Sequence, residues 1–83
     1  MTVFQAAHTK EQGVTFVAVW VRDSLLNNRS DAEEMIRAMS RYFGCLAVLV
    51  SEQQHRVYGH RGDIVKYVAN NLRRLPWREW RAA

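Results

Sequence analysis

Two short runs of apolar residues dominate the hydrophobic pattern of the chain. One lies at 14–22 and the other at 45–50; both contain β-branched residues, and apolar residues occupy odd and even positions alike. Such bounded runs are typical of strands that are buried on both faces. Strands of this kind usually pair in parallel beneath helices. We therefore predict two interior strands in parallel, covered by helices.

The segment between these runs has the pattern of an amphipathic helix. Ser30 and Glu33 have the spacing of a capping box, with Ser30 as N-cap, and Gly44 suits a left-handed C-terminal cap. Apolar residues recur at steps of three and four and form one stripe: Ala32, Met35, Ile36, Met39, Tyr42 and Phe43. The pattern predicts a helix from Ser30 to Phe43.

The second half of the chain predicts a hairpin followed by another helix. A turn at 51–55 leads into a short edge strand at 56–60. Asp63 is a candidate N-cap for a helix that runs to about Leu72, whose spacing predicts that Ile64, Val65, Val68 and Leu72 face the sheet. Pro76 ends helical continuity. The predicted order is therefore β-α-β-β-α.

This order predicts a single α/β (α+β) domain over all 83 residues. We expect a three-stranded mixed sheet with two helices in two or three layers, because the pattern leaves open whether the helices cover one sheet face or both. Residues 14–72 form the predicted core. Residues 1–13 show no period and are expected to form a loose leader, and 73–83 form a tail rich in Arg and Trp.

Charge is concentrated in that tail. Four arginines against one glutamate give 73–81 a charge of +3, out of +4 for the whole chain. The single cysteine excludes an internal disulfide framework, so a reducing, cytoplasmic location is the default. No apolar run approaches the roughly 18 residues of a membrane span, so we expect no membrane association.

The tail is the first candidate site. Its partner-binding candidates are Arg73, Arg74, Trp77, Arg78, Trp80 and Arg81. Interleaved Arg and Trp suit phosphate contact with base stacking, and equally a protein interface. The alternative, which we favour, is that both tryptophans fold back as a lid over a small core. Pro76 would start one more helical turn and place Trp77 and Trp80 on one side.

A polar crevice is the second candidate site. It comprises Asp23, Ser24, Asn27, Asn28 and Arg29, which follow the first buried strand. Open α/β sheets bind ligands at the carboxyl ends of their strands, where Glu52 and Gln53 would also emerge. The same residue types are common in solvated loops and helix caps, so the pattern fixes a location rather than a ligand.

The remaining reactive side chains predict no chemistry. Cys45 has no second cysteine nearby and is expected to act as a small buried hydrophobe. His8, His55 and His60 are too dispersed to match a metal-binding spacing. Because the chain also lacks phosphate-binding and nucleophile motifs, we predict a protein that is not an enzyme and needs no metal or cofactor.

One stretch resembles a known family. Residues 45–72, with Val57-Tyr58-Gly59-His60 at the end of the hairpin, resemble the C-terminal half of a glutaredoxin or thioredoxin. That family has two cysteines where this chain has 23–26, Asp-Ser-Leu-Leu, and a cis-proline where this chain has Cys45-Leu46. The resemblance implies a redox-inactive version of a truncated thioredoxin-like half.

These observations lead to three hypotheses about function. The first is a small bacterial-type binding or regulatory module that acts through a protein partner, using the tail and the loop at 23–29. The second is a nucleic-acid-binding module that uses the tail weakly and without sequence preference. The third is a redox-inactive thioredoxin-like protein. Self-association, partner and ligand are left open by the pattern.

Overall fold

The computed structural model describes residues 2–11 and 13–82, so Met1, Gln12 and Ala83 of the expected leader and tail lie outside the described residues. The elements, in chain order, are β1 (Thr2–Glu11), β2 (Val14–Val21), α1 (Asp23–Leu26), α2 (Arg29–Phe43), β3 (Leu46–Ser51), β4 (Val57–Tyr58), α3 (Gly62–Asn70), a 3₁₀ turn (Leu72–Arg74) and β5 (Trp77–Ala82).

The strands form one mixed sheet in the order β4-β3-β2-β1-β5. β2 and β3 pair in parallel at its centre, as the two apolar runs predicted, and all other neighbours are antiparallel. The α/β class is confirmed. The expected three-stranded sheet with two helices is wrong, because the described residues form five strands and three α-helices.

The segment expected to be a loose leader is the strand β1. It pairs with β2 on one side and with β5 on the other. Ala6 and Ala7 in its centre are fully buried, although they face opposite sides of the sheet. Small residues such as alanine give a weak apolar signal, so the sequence pattern did not reveal this strand. Pairing with β2 and β5 on its two sides holds it in place.

Helices cover both faces of the sheet, which resolves the point that the sequence left open. We call the two sides the α2 face and the α3 face. Residues buried on the α2 face are Ala6, Val17, Val19, Val21, Leu26, Ala32, Ile36, Ala47 and Leu49. Those buried on the α3 face are Ala7, Phe16, Ala18, Val48, Val50, Ile64, Val68 and Leu75. The three layers bury both faces of β2 and β3, as their unbroken apolar character requires.

The ends of α2 agree with the prediction at one end only. Gly44 is the left-handed C-cap, with φ 69°, and its N–H donates to the Ser40 carbonyl at 2.8 Å. The N-cap is Asn28, which accepts from the Asp31 N–H at 3.2 Å, so the assignment of Ser30 is wrong. An Asn oxygen caps as well as a Ser hydroxyl, and the N-cap therefore lies two residues earlier than expected.

α3 also begins earlier than expected. Arg61 is its N-cap residue, and Asp63 lies in the first turn, where its carboxylate accepts from the Arg61 Nε at 2.9 Å. Ile64 and Val68 are buried against the sheet, as the spacing predicted. The helix ends at Asn70, so Leu72, where the helix was expected to end, lies in the 3₁₀ turn.

The thioredoxin-like expectation is wrong in its detail. β3 and β4 do form an antiparallel hairpin followed by a helix, but β4 comprises only Val57–Tyr58. The hairpin of β1 and β2 and the added strand β5 build a wider sheet than that half-fold contains. Within the described residues, no helix has the length and apolar content needed to cross a membrane.

Candidate functional site

The basic tail is a strand rather than an extra helical turn. β5 pairs with β1 along six positions, from Trp77 opposite Ala7 to Ala82 opposite Thr2. Side chains alternate between faces in a strand, so Trp77 and Trp80, three residues apart, lie on opposite faces. The expectation that they share one side is wrong. Pro76 precedes the strand, where a missing N–H disturbs no sheet hydrogen bond.

Trp80 completes an aromatic cluster on the α2 face. Its ring lies 4.9 Å from that of Phe43 and 6.4 Å from that of His8, centroid to centroid. Phe4 also approaches Phe43, at 6.2 Å. The Trp80 Nε1–H donates to the carbonyl of Ala6 at 3.1 Å. These contacts tie the last strand to the end of α2 and to β1.

Trp77 forms a second cluster on the α3 face. Its ring lies 4.8 Å from that of Trp20, which in turn lies 5.6 Å from His55. The Trp77 Nε1–H donates to the Leu72 carbonyl at 2.7 Å. Both tail tryptophans are half-buried and their indole N–H groups have partners. Each tryptophan therefore packs as a lid, one on each face of the sheet.

The tail arginines are dispersed over two elements and over both faces of the sheet. Arg73 and Arg74 lie in the 3₁₀ turn, whereas Arg78 and Arg81 lie in β5. Arg78 is on the α2 face, with its guanidinium carbon 5.6 Å from the centre of the Trp80 ring. Arg81 is on the α3 face. A cluster that is dense in sequence therefore does not form one continuous basic stripe.

The direction of the backbone groups in β1 follows from hydrogen bonding at the centre of the sheet. The Val21 carbonyl accepts from the Glu52 N–H at 2.9 Å, so the odd-numbered residues of β2 turn their backbone groups toward β3. Val19 is one of these, and it lies opposite Ala6. The backbone groups of Ala6 therefore point away from β2 and toward β5.

This alternation of backbone direction continues to the outer edge of β5, which has no neighbouring strand among the described residues. Arg78 lies opposite Ala6, so Arg78 and Trp80 bond to β1, while Trp77, Glu79 and Arg81 direct their N–H and C=O groups outward. The Trp77 N–H donates to the Leu75 carbonyl at 2.9 Å. Within the described residues, no hydrogen bond engages the outward groups of Glu79 or the Arg81 N–H.

Two exposed apolar side chains flank this edge. Tyr42 is 48% exposed, and its hydroxyl donates to the Arg81 carbonyl at 3.2 Å from the α2 face. Val3 is 52% exposed and lies opposite Arg81 in the neighbouring strand, on the α3 face. These are the large hydrophobic residues that stand exposed in the described part of the chain. Both lie at the β5 end of the sheet.

The crevice predicted after the first buried strand lies where the carboxyl ends of β2 and β3 meet. An open groove of about 610 Å³ is found there. Ser24 and Asn28 line it, together with Trp20 and Glu52. The other predicted residues of the loop, Asp23, Asn27 and Arg29, lie outside that lining.

The polar side chains of this loop make structural hydrogen bonds. Asp23 accepts from the Gln53 N–H at 3.1 Å, which joins the loops that follow β2 and β3. The Asn27 side-chain carbonyl accepts from the Arg56 guanidinium at 3.4 Å, and Asn28 caps α2. These bonds account for the Asx-rich composition of the loop without a ligand.

A polar cluster that the sequence did not reveal joins α2 to the β4 hairpin. The Glu33 carboxylate accepts from the Tyr58 hydroxyl at 2.6 Å and lies 2.7 Å from the His60 Nε2. These bonds, that of Tyr58 first, hold the pKa of Glu33 below its usual range, and the same carboxylate raises the pKa of Tyr58. Glu33 thus ties β4 to the helix instead of closing a capping box.

The remaining reactive groups occupy ordinary structural positions. Cys45 is half-buried just before β3, and burial raises the pKa of its thiol, which lowers the thiolate fraction at neutral pH. His8 lies 5.2 Å from Phe43, ring to ring, in the Trp80 cluster. Within residues 2–11 and 13–82, no three His, Cys, Asp or Glu side chains lie close enough to hold a metal ion.

Comparison of the chain with protein-family models, with curated proteins and with solved structures finds no match in any of the three. A proposal for the function of the protein therefore rests on the geometry of the molecule.

Proposed function

We propose that this protein is a non-catalytic module that binds a protein partner by accepting a strand along β5. The carrying observation is the free backbone edge of that strand. Glu79 and Arg81 direct N–H groups outward that no acceptor within the described residues engages. An edge of this kind is a template for strand addition, in which backbone hydrogen bonds supply the affinity.

The surroundings of the edge also support strand addition. β5 is six residues long and contains no proline, whereas β4 at the opposite edge has only two residues. Tyr42 and Val3 offer apolar contacts on the two faces of the sheet beside β5. A partner strand paired with the β5 backbone would contact Tyr42, which reaches the Arg81 carbonyl from the α2 face.

The crevice is the other candidate surface, and its polar groups give little support to a catalytic role. The polar groups of the crevice bond to neighbouring loops and to the start of α2.

We place the action of the module in the cytoplasm, because a single free cysteine suits a reducing compartment.

A proline substitution at Glu79 tests the proposal. The N–H of Glu79 points outward, so Glu79→Pro removes an edge donor without removing a bond between β1 and β5. We expect the variant to fold and to lose a partner that the immobilised wild-type protein retains from an extract of its host cells. Arg78→Pro is the matched control for strand phase, because it removes a bond to β1 and should lower the melting temperature.

Retention of the same partner by folded Glu79→Pro would exclude strand addition at β5. Equal stability of Arg78→Pro and Glu79→Pro would show that the assigned phase of the strand is wrong.

Weak nucleic-acid binding is a second candidate function. The observation in its favour is a groove of about 320 Å³ on the α3 face, lined by Trp20, His55, Leu72, Arg73 and Trp77. Aromatic rings beside a cation suit a stacked base and its phosphate. On this hypothesis, binding of single-stranded oligonucleotides should fall steeply with salt and be reduced by Arg73→Ala. Binding that is unaffected by salt and by Arg73→Ala would exclude this groove as the binding site.

A further inference from the structure

We infer that the strand accepted by β5 is β5 of a second copy of this chain, in an antiparallel pair with Trp80 at the two-fold axis. This inference rests on the proposed function, since it names the occupant of the same edge. It would join the two sheets into one continuous sheet across the dimer.

Symmetry limits the registers that such a pair can adopt. A two-fold axis normal to the sheet reverses the strand direction and keeps each side chain on its own face. Hydrogen bonds form only where outward-facing residues lie opposite one another, and here these are Trp77, Glu79 and Arg81. Centring the axis near the middle of this edge leaves four registers, centred on Arg78, on Glu79, on Trp80 or on Arg81.

Charge selects one of these registers. An axis on Glu79 sets two glutamates opposite each other, and an axis on Arg78 or on Arg81 sets two arginines opposite each other. Like charges in directly opposed positions destabilise a strand pair. An axis on Trp80 instead places Glu79 opposite Arg81 of the second copy, twice by symmetry. The sequence Glu-Trp-Arg in β5 is therefore complementary to itself only in this register.

Backbone donors and acceptors favour the same register. Each Glu79 N–H would donate to the Arg81 carbonyl of the second copy, and each Arg81 N–H to the Glu79 carbonyl. The Arg81 carbonyl accepts from the Tyr42 hydroxyl, but it has a second lone pair available. Centring on Glu79 would instead require the Trp77 N–H, which already donates to the Leu75 carbonyl.

The charges of β5 have a competing explanation as protection against edge pairing. Charged side chains, lysine above all, commonly keep exposed edges apart. β5 carries no lysine, however, and its two charges on the α3 face have opposite signs with spacing that matches an inverted copy. The exposed Tyr42 lies beside the edge and would contact the second copy.

Charge reversal with rescue tests the inference. Sedimentation equilibrium from about 1 μM to about 1 mM covers the range of weak to moderate association. We expect the wild-type chain to form dimers, and each single reversal, Glu79→Arg or Arg81→Glu, to weaken the dimer about tenfold. The double reversal should restore the wild-type constant. Glu34→Arg makes the same chemical change on the exposed surface of α2 and should leave the dimer unchanged.

Three results would overturn the inference. They are a monomer at every concentration, equal effects of Glu79→Arg and Glu34→Arg, and a double reversal no better than the singles. Circular dichroism and thermal melting of each variant establish that it is folded. If the wild-type chain stays monomeric but captures another protein, and Glu79→Pro abolishes that capture, the second copy is excluded and strand addition at β5 stands.

Discussion

The packing of the two tail tryptophans on opposite faces has a measurable consequence. Trp77→Phe and Trp80→Phe each remove an indole N–H that donates to a backbone carbonyl, at 2.7 Å and 3.1 Å. Because the two rings belong to different clusters and share no partner, the two substitutions should act independently. The test is a double-mutant cycle on the free energy of unfolding.

The expected magnitude follows from the contacts that are lost. Each lost hydrogen bond is worth about 1 kcal/mol, and roughly 40 Å² of apolar ring area adds about 1 kcal/mol more. Each substitution should therefore cost about 2 kcal/mol, and the pair about 4 kcal/mol. A chain of this length is stable by about 4–12 kcal/mol, so the double variant should be weakened severely and remain measurable only near the upper part of that range.

Urea titration followed by far-ultraviolet circular dichroism measures these changes without depending on tryptophan fluorescence. We expect a coupling energy within about 0.5 kcal/mol of zero, the usual result for sites without shared partners. Coupling well above 1 kcal/mol would mean that Trp77 and Trp80 pack together, as the helical-turn interpretation of the tail required. That result would refute the strand assignment and, with it, the free edge.

Three further predictions concern the frame around this edge. A methyl group added at Gly59 would lie 2.6 Å from Val48 Cγ1, so Gly59→Ala should cost about 1–3 kcal/mol in a urea titration, and no loss would refute the close packing of the hairpin. Asn28→Ala should cost about 1 kcal/mol whereas Ser30→Ala should cost much less, and the reverse order would restore the capping box. Because the pKa of Glu33 is lowered in the fold, its ionised form stabilises the protein above its ordinary value of 4.5, and this contribution is lost as the pH falls through the folded-state pKa. The melting temperature of Glu33→Gln should therefore lie below that of wild type at neutral pH and approach it in acid, and a gap independent of pH would contradict the assigned bonds.

Local patterns predicted the centre of the molecule. The two apolar runs are parallel neighbours, Gly44 caps α2, and Ile64 and Val68 face the sheet. The crevice location followed from the rule for parallel strands. In each of these features, the residues that carry the signal lie within one element or in two successive strands of the chain. A short window of sequence therefore contains the signal.

The elements that sequence analysis missed depend on distant pairing. β5 reads equally as a helical turn because Trp77 and Trp80 are three residues apart, and only its pairing with β1 decides between them. The Trp80 Nε1–H bonds to Ala6, 74 positions away. Glu33 meets Tyr58 from 25 positions away, so its spacing from Ser30 suggested a different partner. No local period reports these contacts.

Amide hydrogen exchange along β5 is the most direct test of the claim that this edge is the contact surface. In dilute protein, we expect the Glu79 and Arg81 amides to exchange rapidly while those of Arg78 and Trp80, which bond to β1, are protected. At high protein concentration the Glu79 and Arg81 amides should become protected as well. Fast exchange of both amides at every concentration, even with a captured partner bound, or their protection already in the dilute monomer, would contradict the claim.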